Sequence, residues 1–200
     1  MTPQVNLSVR ETRRQRTRER ILGAAVSEFQ RAGMAAAEIS AIVAAAGVAH
    51  GTFYLHFPTK EHVLLEVERR EEARVATEFD RFLKGPHDLF SALTEVVRLV
   101  QGLEERLGNA LFKEILALHF SASRPRPDDW TDHAVIVLLV REIERGRGEG
   151  EVHPEVDAFY SAVFFLLGIY GVLSTTAGHD NRDNMLSQLV ASALRGLEVR

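Results

Sequence analysis

The stretch Ile39-Ser40-Ala41-Ile42-Val43-Ala44-Ala45-Ala46-Gly47-Val48-Ala49-His50-Gly51-Thr52-Phe53-Tyr54-Leu55-His56-Phe57-Pro58-Thr59-Lys60 decides how this chain folds. Ile39 to Ala45 is helical in pattern, Ala46-Gly47-Val48 interrupts it, and Ala49 to Leu55 resumes before Pro58 ends the unit. Gly47 can take the left-handed backbone conformation that a tight turn between two helices needs. Ile42, Val43, Val48 and Phe53 are spaced to pin the two helices together, with Ile21 or Phe29 from the preceding segment. The second short helix then exposes Ala49, His50 and Thr52. Small residues at its start let a backbone approach a major groove, and His50 and Thr52 can donate and accept hydrogen bonds. Tyr54, His56 and Lys60 follow. A phenol, an imidazole and an ammonium all suit phosphate oxygens, and Lys60 sits at a helix N-terminus, whose free N–H groups also attract anions. The plainer alternative, an Ala-rich helical hairpin, requires several spaced residue types to coincide by chance.

Outward from this unit almost every segment reads as helix. Residues 1–9 have no pattern and are expected to be disordered. From Arg13 to Arg31 the residues Ile21, Leu22, Ala25, Val26 and Phe29 recur at three- and four-residue spacing, and Gly33 stops the helix. Downstream, Thr59 is placed to cap a long helix reaching Lys84. Further helices are expected over 88–107, 109–120, 128–145, 154–177 and 183–197. No strand pattern and no internal repeat stands out. The expected class is all-α, with about nine helices.

Charge is unevenly placed along the 200 residues. Residues 1–60 carry eight Lys or Arg and four acids, a net of +4, whereas the remainder carries 16 basic and 24 acidic residues, a net of −8. A basic end on an acidic body fits contact with a polyanion at one end, and Arg13, Arg16 and Arg18 are the arm residues placed to make it. The chain has no cysteine, which excludes disulfides and thiolate metal sites and fits a reducing compartment. The N-terminal stretch is too charged for the apolar region of a signal peptide. The longest apolar run, Ala162 to Leu173, is about a dozen residues, against roughly 18 or more for a membrane span. A cytoplasmic protein without membrane contact is therefore expected.

The run from Ala45 to Glu61, Ala-Ala-Gly-Val-Ala-His-Gly-Thr-Phe-Tyr-Leu-His-Phe-Pro-Thr-Lys-Glu, resembles the signature of the tetracycline-repressor (TetR) family of transcriptional regulators. Arg18 to Gly33 resembles that family's first helix, and Gly146 to Asp157 resembles its glycine-rich link before the eighth. The clear match covers about residues 13–65. One departure stands out: the family usually places Ser or Thr as the cap of the second helix, and Ala37-Glu38 stands there instead. The resemblance implies an N-terminal arm and helix-turn-helix DNA-binding domain over 1–58 and a ligand-binding and dimerisation domain over 59–200. It also implies a homodimer on a double-stranded DNA operator, released by an unidentified small-molecule effector.

For the second domain, the run Ala162 to Leu173 is apolar on nearly every side and needs cover on all faces. With the stripe from Met185 to Leu197 it is expected to form a dimer interface through Phe165, Ile169, Leu186, Leu189, Val190 and Leu194, with Gly168 and Gly171 permitting close helix approach. An effector pocket is expected from aromatic and polar residues on apolar faces: Phe82, Phe90, Phe112, His119, Trp130, His133, Phe164 and Tyr170. For His119 and His133 the plainer reading, as satisfied core residues, is the preferred one. With Asp129 and Asp132 they are metal-ligand types, but no metal motif surrounds them, so neither a metal nor a cofactor is expected. No nucleophile elbow, phosphate loop or His-Glu-x-x-His sequence points to an enzyme. The expected function is a repressor released from a palindromic operator by a small, largely apolar ligand. The alternative is a TetR-like protein without a small effector, whose C-terminal domain binds a protein partner.

Overall fold

The structure, a computed structural model, describes residues 9–121, 124 and 133–198. Among these it contains nine α-helices: α1 (Val9–Ala32), α2 (Ile39–Ala46), α3 (His50–His56), α4 (Lys60–Phe82), α5 (Leu89–Leu107), α6 (Asn109–His119), α7 (Ala134–Gly148), α8 (Ala158–Thr175) and α9 (Arg182–Leu197). They fall into two compact units, Met1–Val67 and Glu68–Arg200. The division lies inside α4, two turns beyond the 58/59 boundary expected from the sequence.

In the first unit the expected periodicity is the buried face. Ile21, Ala25 and Phe29 of α1, Ile42 of α2, Phe53 of α3, and Val63 and Leu64 of α4 are wholly removed from solvent. α1 is already helical at Val9, the first described residue, ahead of the Arg13 start that the apolar stripe implies, because its turns there are charged and exposed and give no periodic signal.

The second unit is built around α5 and α8. α5 starts with a capping box, in which the Asp88 carboxylate accepts from the Ser91 N–H at 2.8 Å while the Ser91 hydroxyl approaches the Asp88 N–H at 3.0 Å. Its buried stripe includes Ala92, Leu93, Val96 and Val100. α8 is capped by Asp157, whose carboxylate accepts from the Tyr160 N–H at 2.9 Å. The helix therefore starts later than Pro154, where the sequence placed it. By length and composition alone α8 could cross a membrane, with a mean hydropathy of 1.7 over 18 residues. Here it packs against α5, α6, α7 and α9 of its own unit.

That packing corrects the expected dimer face. Phe165, Ile169, Leu186 and Val190 are buried in the chain's own core. Leu189 and Leu194 are half-buried. The apolar residues left outside are Tyr160, Phe164 and Met185, with Phe164 66% exposed and stacked on Tyr160. A helix apolar on every side carries no periodic mark of which face its own chain covers. Gly168 serves the internal contact, since a Cβ there would lie 2.8 Å from Leu189 Cδ1, whereas Gly171 faces open space.

Buried charge ties the unit together. Glu104 of α5, 4% exposed, accepts from Asn109 Nδ2 at 2.9 Å and from the guanidinium of Arg182 on α9. Glu142 of α7, also 4% exposed, lies 3.2 Å from His87 Nε2 and pairs with Arg145. Burial pushes the Glu142 carboxyl up, but the bonds from Arg145 and His87 outweigh it and hold it below its ordinary range. Removing one partner from a buried pair leaves an uncompensated charge, which costs roughly 3–5 kcal/mol. Arg182→Ala should therefore destabilise the protein by about 3 kcal/mol in urea unfolding. Arg182→Leu combined with Glu104→Leu should recover most of that loss, and an equal or larger loss in the double variant would show that the pair is not the cause.

Candidate DNA-binding site

α2 and α3 meet at 94°, within the range of a helix-turn-helix. Gly47 makes the turn at φ 61°, ψ 44°, and the Gly47 and Val48 N–H groups bond back to Ala44 O at 3.1 Å and Val43 O at 3.0 Å. Arg20 of α1 donates to the carbonyls of Ala46 and Gly47, and its Nη2 would lie 2.9 Å from a Cβ at position 47. Gly47 is thus needed twice, for its backbone conformation and for the room Arg20 occupies. Sequence reading missed Arg20 because a single arginine among many gives no signal of a partner 26 residues away.

α3 buries Phe53 against Phe57, ring centroids 6.1 Å apart. The opposite face is open: Ala49, His50, Gly51, Tyr54 and Leu55 are exposed, Leu55 by 79%. Thr52 and His56 are half-buried at its margin. The His50 and Tyr54 rings lie 5.6 Å apart. Leu55 was not singled out from the sequence, although it lies one turn from the exposed Gly51 and two residues from the buried Phe53. Burial, then the charges of Arg14 and Arg18, holds the His56 imidazole below its ordinary pKa. At neutral pH it is therefore a neutral N–H donor.

Two expected contacts are committed to the fold. The Lys60 ammonium donates to three carbonyls, Met34 at 2.7 Å, Ala37 at 3.0 Å and Ala35 at 3.3 Å. All three of its N–H groups are used there. Arg18 donates to His56 O at 2.6 Å and Glu66 Oε2 at 3.1 Å, and its guanidinium lies 4.1 Å above the Phe57 ring. It fixes the end of α3 to α1 and α4. By contrast Arg10, Arg13, Arg14 and Arg16 are exposed along α1. At the α2 cap, the Glu38 carboxylate makes no capping bond to a backbone N–H of the helix and accepts instead from Ser40 Oγ at 3.0 Å. Nearby, Glu28 is held below its ordinary range by two bonds from Arg31 and by the Glu38 N–H.

The second unit has a cavity of about 40 Å³ lined by residues of α4, α5, α6 and α8 and by His133 and Val135. Of the expected pocket residues, Phe112, His119, His133 and Tyr170 line it. Phe82, Phe90 and Phe164 do not: Phe82 packs against His87, and Phe90 and Phe164 are 51% and 66% exposed. Trp130 lies outside the described residues. The acids of α4 that face the cavity, Glu68, Glu71 and Glu72, were missed because carboxylates on a charged helix read as solvated. His119 Nδ1 lies 2.6 Å from Glu68 Oε1, so this histidine both has a partner and lines the cavity. Among the described residues no group of three or more metal-ligand types is placed to hold an ion.

The turn geometry and the open face of α3 define a helix-turn-helix DNA-binding protein. Residues 21–67 match the family model for bacterial regulatory proteins, tetR family. The chain is 27% identical over 172 residues to the HTH-type transcriptional regulator UidR of Escherichia coli (strain K12), covering 85% of this chain and 86% of that protein. It is 38% identical over 139 residues to the HTH-type transcriptional repressor KstR of Mycobacterium tuberculosis (strain ATCC 25618 / H37Rv), over 68% of this chain and 62% of that protein. The structure of GusR from Salmonella enterica superposes with a TM-score of 0.72 at 28% identity, covering 90% of this chain and 95% of that one. The chain belongs to the TetR family of helix-turn-helix transcriptional regulators, and it is a regulator rather than an enzyme.

The turn and the lysine should both be needed for stability. Gly47→Ala forces an L-residue into the left-handed region and displaces Arg20, at a cost of about 1–3 kcal/mol. Lys60→Met leaves three carbonyls to find water and should lower the Tm of the DNA-free protein by several degrees. An unchanged Tm for Lys60→Met would return its ammonium to the role of a free phosphate contact.

Proposed function

We propose that this protein is a cytoplasmic, homodimeric, ligand-responsive repressor that binds a palindromic operator through α3. The observation that carries this reading is the open face of Ala49, His50, Gly51, Tyr54 and Leu55 on a helix otherwise fixed from beneath. His50 and Thr52 supply hydrogen bonds to base edges, and Leu55 supplies an apolar contact of the kind that recognises a thymine methyl. Tyr54 and His56 donate to phosphates. Arg13 and Arg16, with Arg10 and Arg14, supply the charge that follows the backbone. Lys60 and Arg18 act by holding this surface together.

A palindrome needs a two-fold partner. The exposed Tyr160, Phe164 and Met185, with the half-buried Leu189, are the surface of α8 and α9 that a second copy would cover. Two recognition helices then fall about 34–36 Å apart, in successive major grooves. The effector occupies the cavity of the second unit. α4 carries Lys60 at one end and the cavity residues Glu68, Glu71, Glu72 and Val75 further along one unbroken helix, so displacing its cavity side alters the spacing of the heads. A second reading, a C-terminal unit that binds a protein instead of a small molecule, is favoured by the small cavity. About 40 Å³ holds a few waters, so an effector must open it.

The DNA contacts separate by salt. Arg16→Ala should weaken all sequences alike and reduce the salt slope by about one. His50→Ala should lose roughly 1–3 kcal/mol at particular base pairs, read by competition against single-base operator variants. If His50→Ala weakened every variant equally, α3 would not be reading bases through it.

The interface can be tested by sedimentation. Phe164→Glu with Met185→Glu, both at exposed positions, should give a folded monomer with at least tenfold weaker operator binding, since a stable interface buries upwards of about 1,000 Å². A dimer that survived both substitutions would place the interface elsewhere.

A further inference from the structure

The cavity of the second unit has one polar wall. Glu68, Glu71 and Glu72 come from α4, His119 ends α6, His133 precedes α7, and Tyr170 comes from α8. The other walls are apolar, with Val100, Phe112 and Ile115 among them. Arg124 Nη1 reaches Glu68 at 2.9 Å and Arg106 Nη2 reaches Glu71 at 2.8 Å, but neither arginine lines the cavity. Among the described residues no lysine or arginine does. Glu72 accepts from the Ala134 N–H at 2.7 Å and lies 3.1 Å from His133 Nδ1. Inside the cavity the lining charge is therefore carboxylate, set against imidazoles.

Tyr170 adds a neutral hydroxyl to that wall. It is half-buried and lines the cavity, with its ring edge-on to Phe112 at 6.3 Å between centroids. Burial, and then the negative charges of Glu72 and Glu68, push this phenol well above its ordinary pKa. A phenol held in its protonated form can both donate a hydrogen bond to and accept one from a molecule in the cavity.

We propose that this cavity takes a largely apolar molecule whose polar end is a hydrogen-bond donor, an alcohol, phenol or amine, and rejects carboxylates and phosphates. The donor end lies against the carboxylates of Glu68 and Glu72 and shares the Tyr170 hydroxyl, while the apolar body lies against Phe112 and Ile115. An acid placed there would face carboxylates in a site with little water to screen them. The inference rests on the effector reading above and narrows it to a ligand class.

Four probes with one hydrocarbon body test it: 4-butylphenol, 4-butylbenzylamine, 4-butylbenzoate and butylbenzene. Each is added at millimolar concentration to the full-length protein, with Tm and release of operator DNA as readouts. The phenol, the amine or both should raise Tm by at least about 2 °C and release DNA, and the benzoate and butylbenzene should do neither. Glu72→Gln separates the two donor sources. It should weaken the amine at least about tenfold, because a charge-assisted bond is lost, and change the phenol much less. Binding of the benzoate or of butylbenzene equal to the donors overturns the ligand class while leaving an effector pocket in place. No response to any probe also overturns it. If Ile115→Ala, which enlarges the cavity, is equally unresponsive, the effector reading falls as well.

Discussion

A helix of seven residues has no stability of its own in water, and the surface this protein offers to DNA depends on how α3 is held from outside. Phe53 anchors it from below. Arg18 closes its C-terminal end by bonding the His56 carbonyl, lying over Phe57 and pairing with Glu66, which is only 8% exposed. Arg20 closes the turn before it. The outward face is consequently free of structural duty, and residues as different as His50, Gly51 and Leu55 stand there without cost to the fold. The basic N-terminal segment serves two ends. Some of its arginines bind carbonyls and a buried acid, and others face solvent as a diffuse positive field.

The C-terminal unit uses charge differently. Its buried acids, Glu104 and Glu142, sit where helices meet and are matched by Arg182, Arg145 and His87. Such pairs contribute less to net stability than to the choice of one helix arrangement over another, because desolvation offsets most of their attraction. The acids on α4 lie along a cavity instead. There the same chemistry gives the space an electrostatic character that an apolar lining alone would lack.

Much of the fold was legible in the order of residues. Apolar spacing gave the helices, Gly47 and Pro58 gave the breaks, and Ala45 to Glu61 gave the DNA-binding unit with its family. Helix starts were less legible where the turns are charged and exposed, as in α1 ahead of Arg13, or where a cap overrides a proline, as at Asp157. The roles of single cations were not legible. Lys60 and Arg18 have the chemistry of phosphate contacts, and only the positions of Met34, Ala37, His56 and Glu66 show where their donors are spent.

The sequence by itself determined the all-α class, the helix-turn-helix and the partition of charge between the two ends, because these depend on local periodicity, backbone freedom and composition. Tertiary structure alone decided which face of α8 its own chain covers, which arginines remain exposed, and that the acids of α4 line a cavity. The physical reason is that α8 is apolar all round and α4 is charged along much of its length. Only the neighbours that pack against a uniform helix distinguish one of its faces from another.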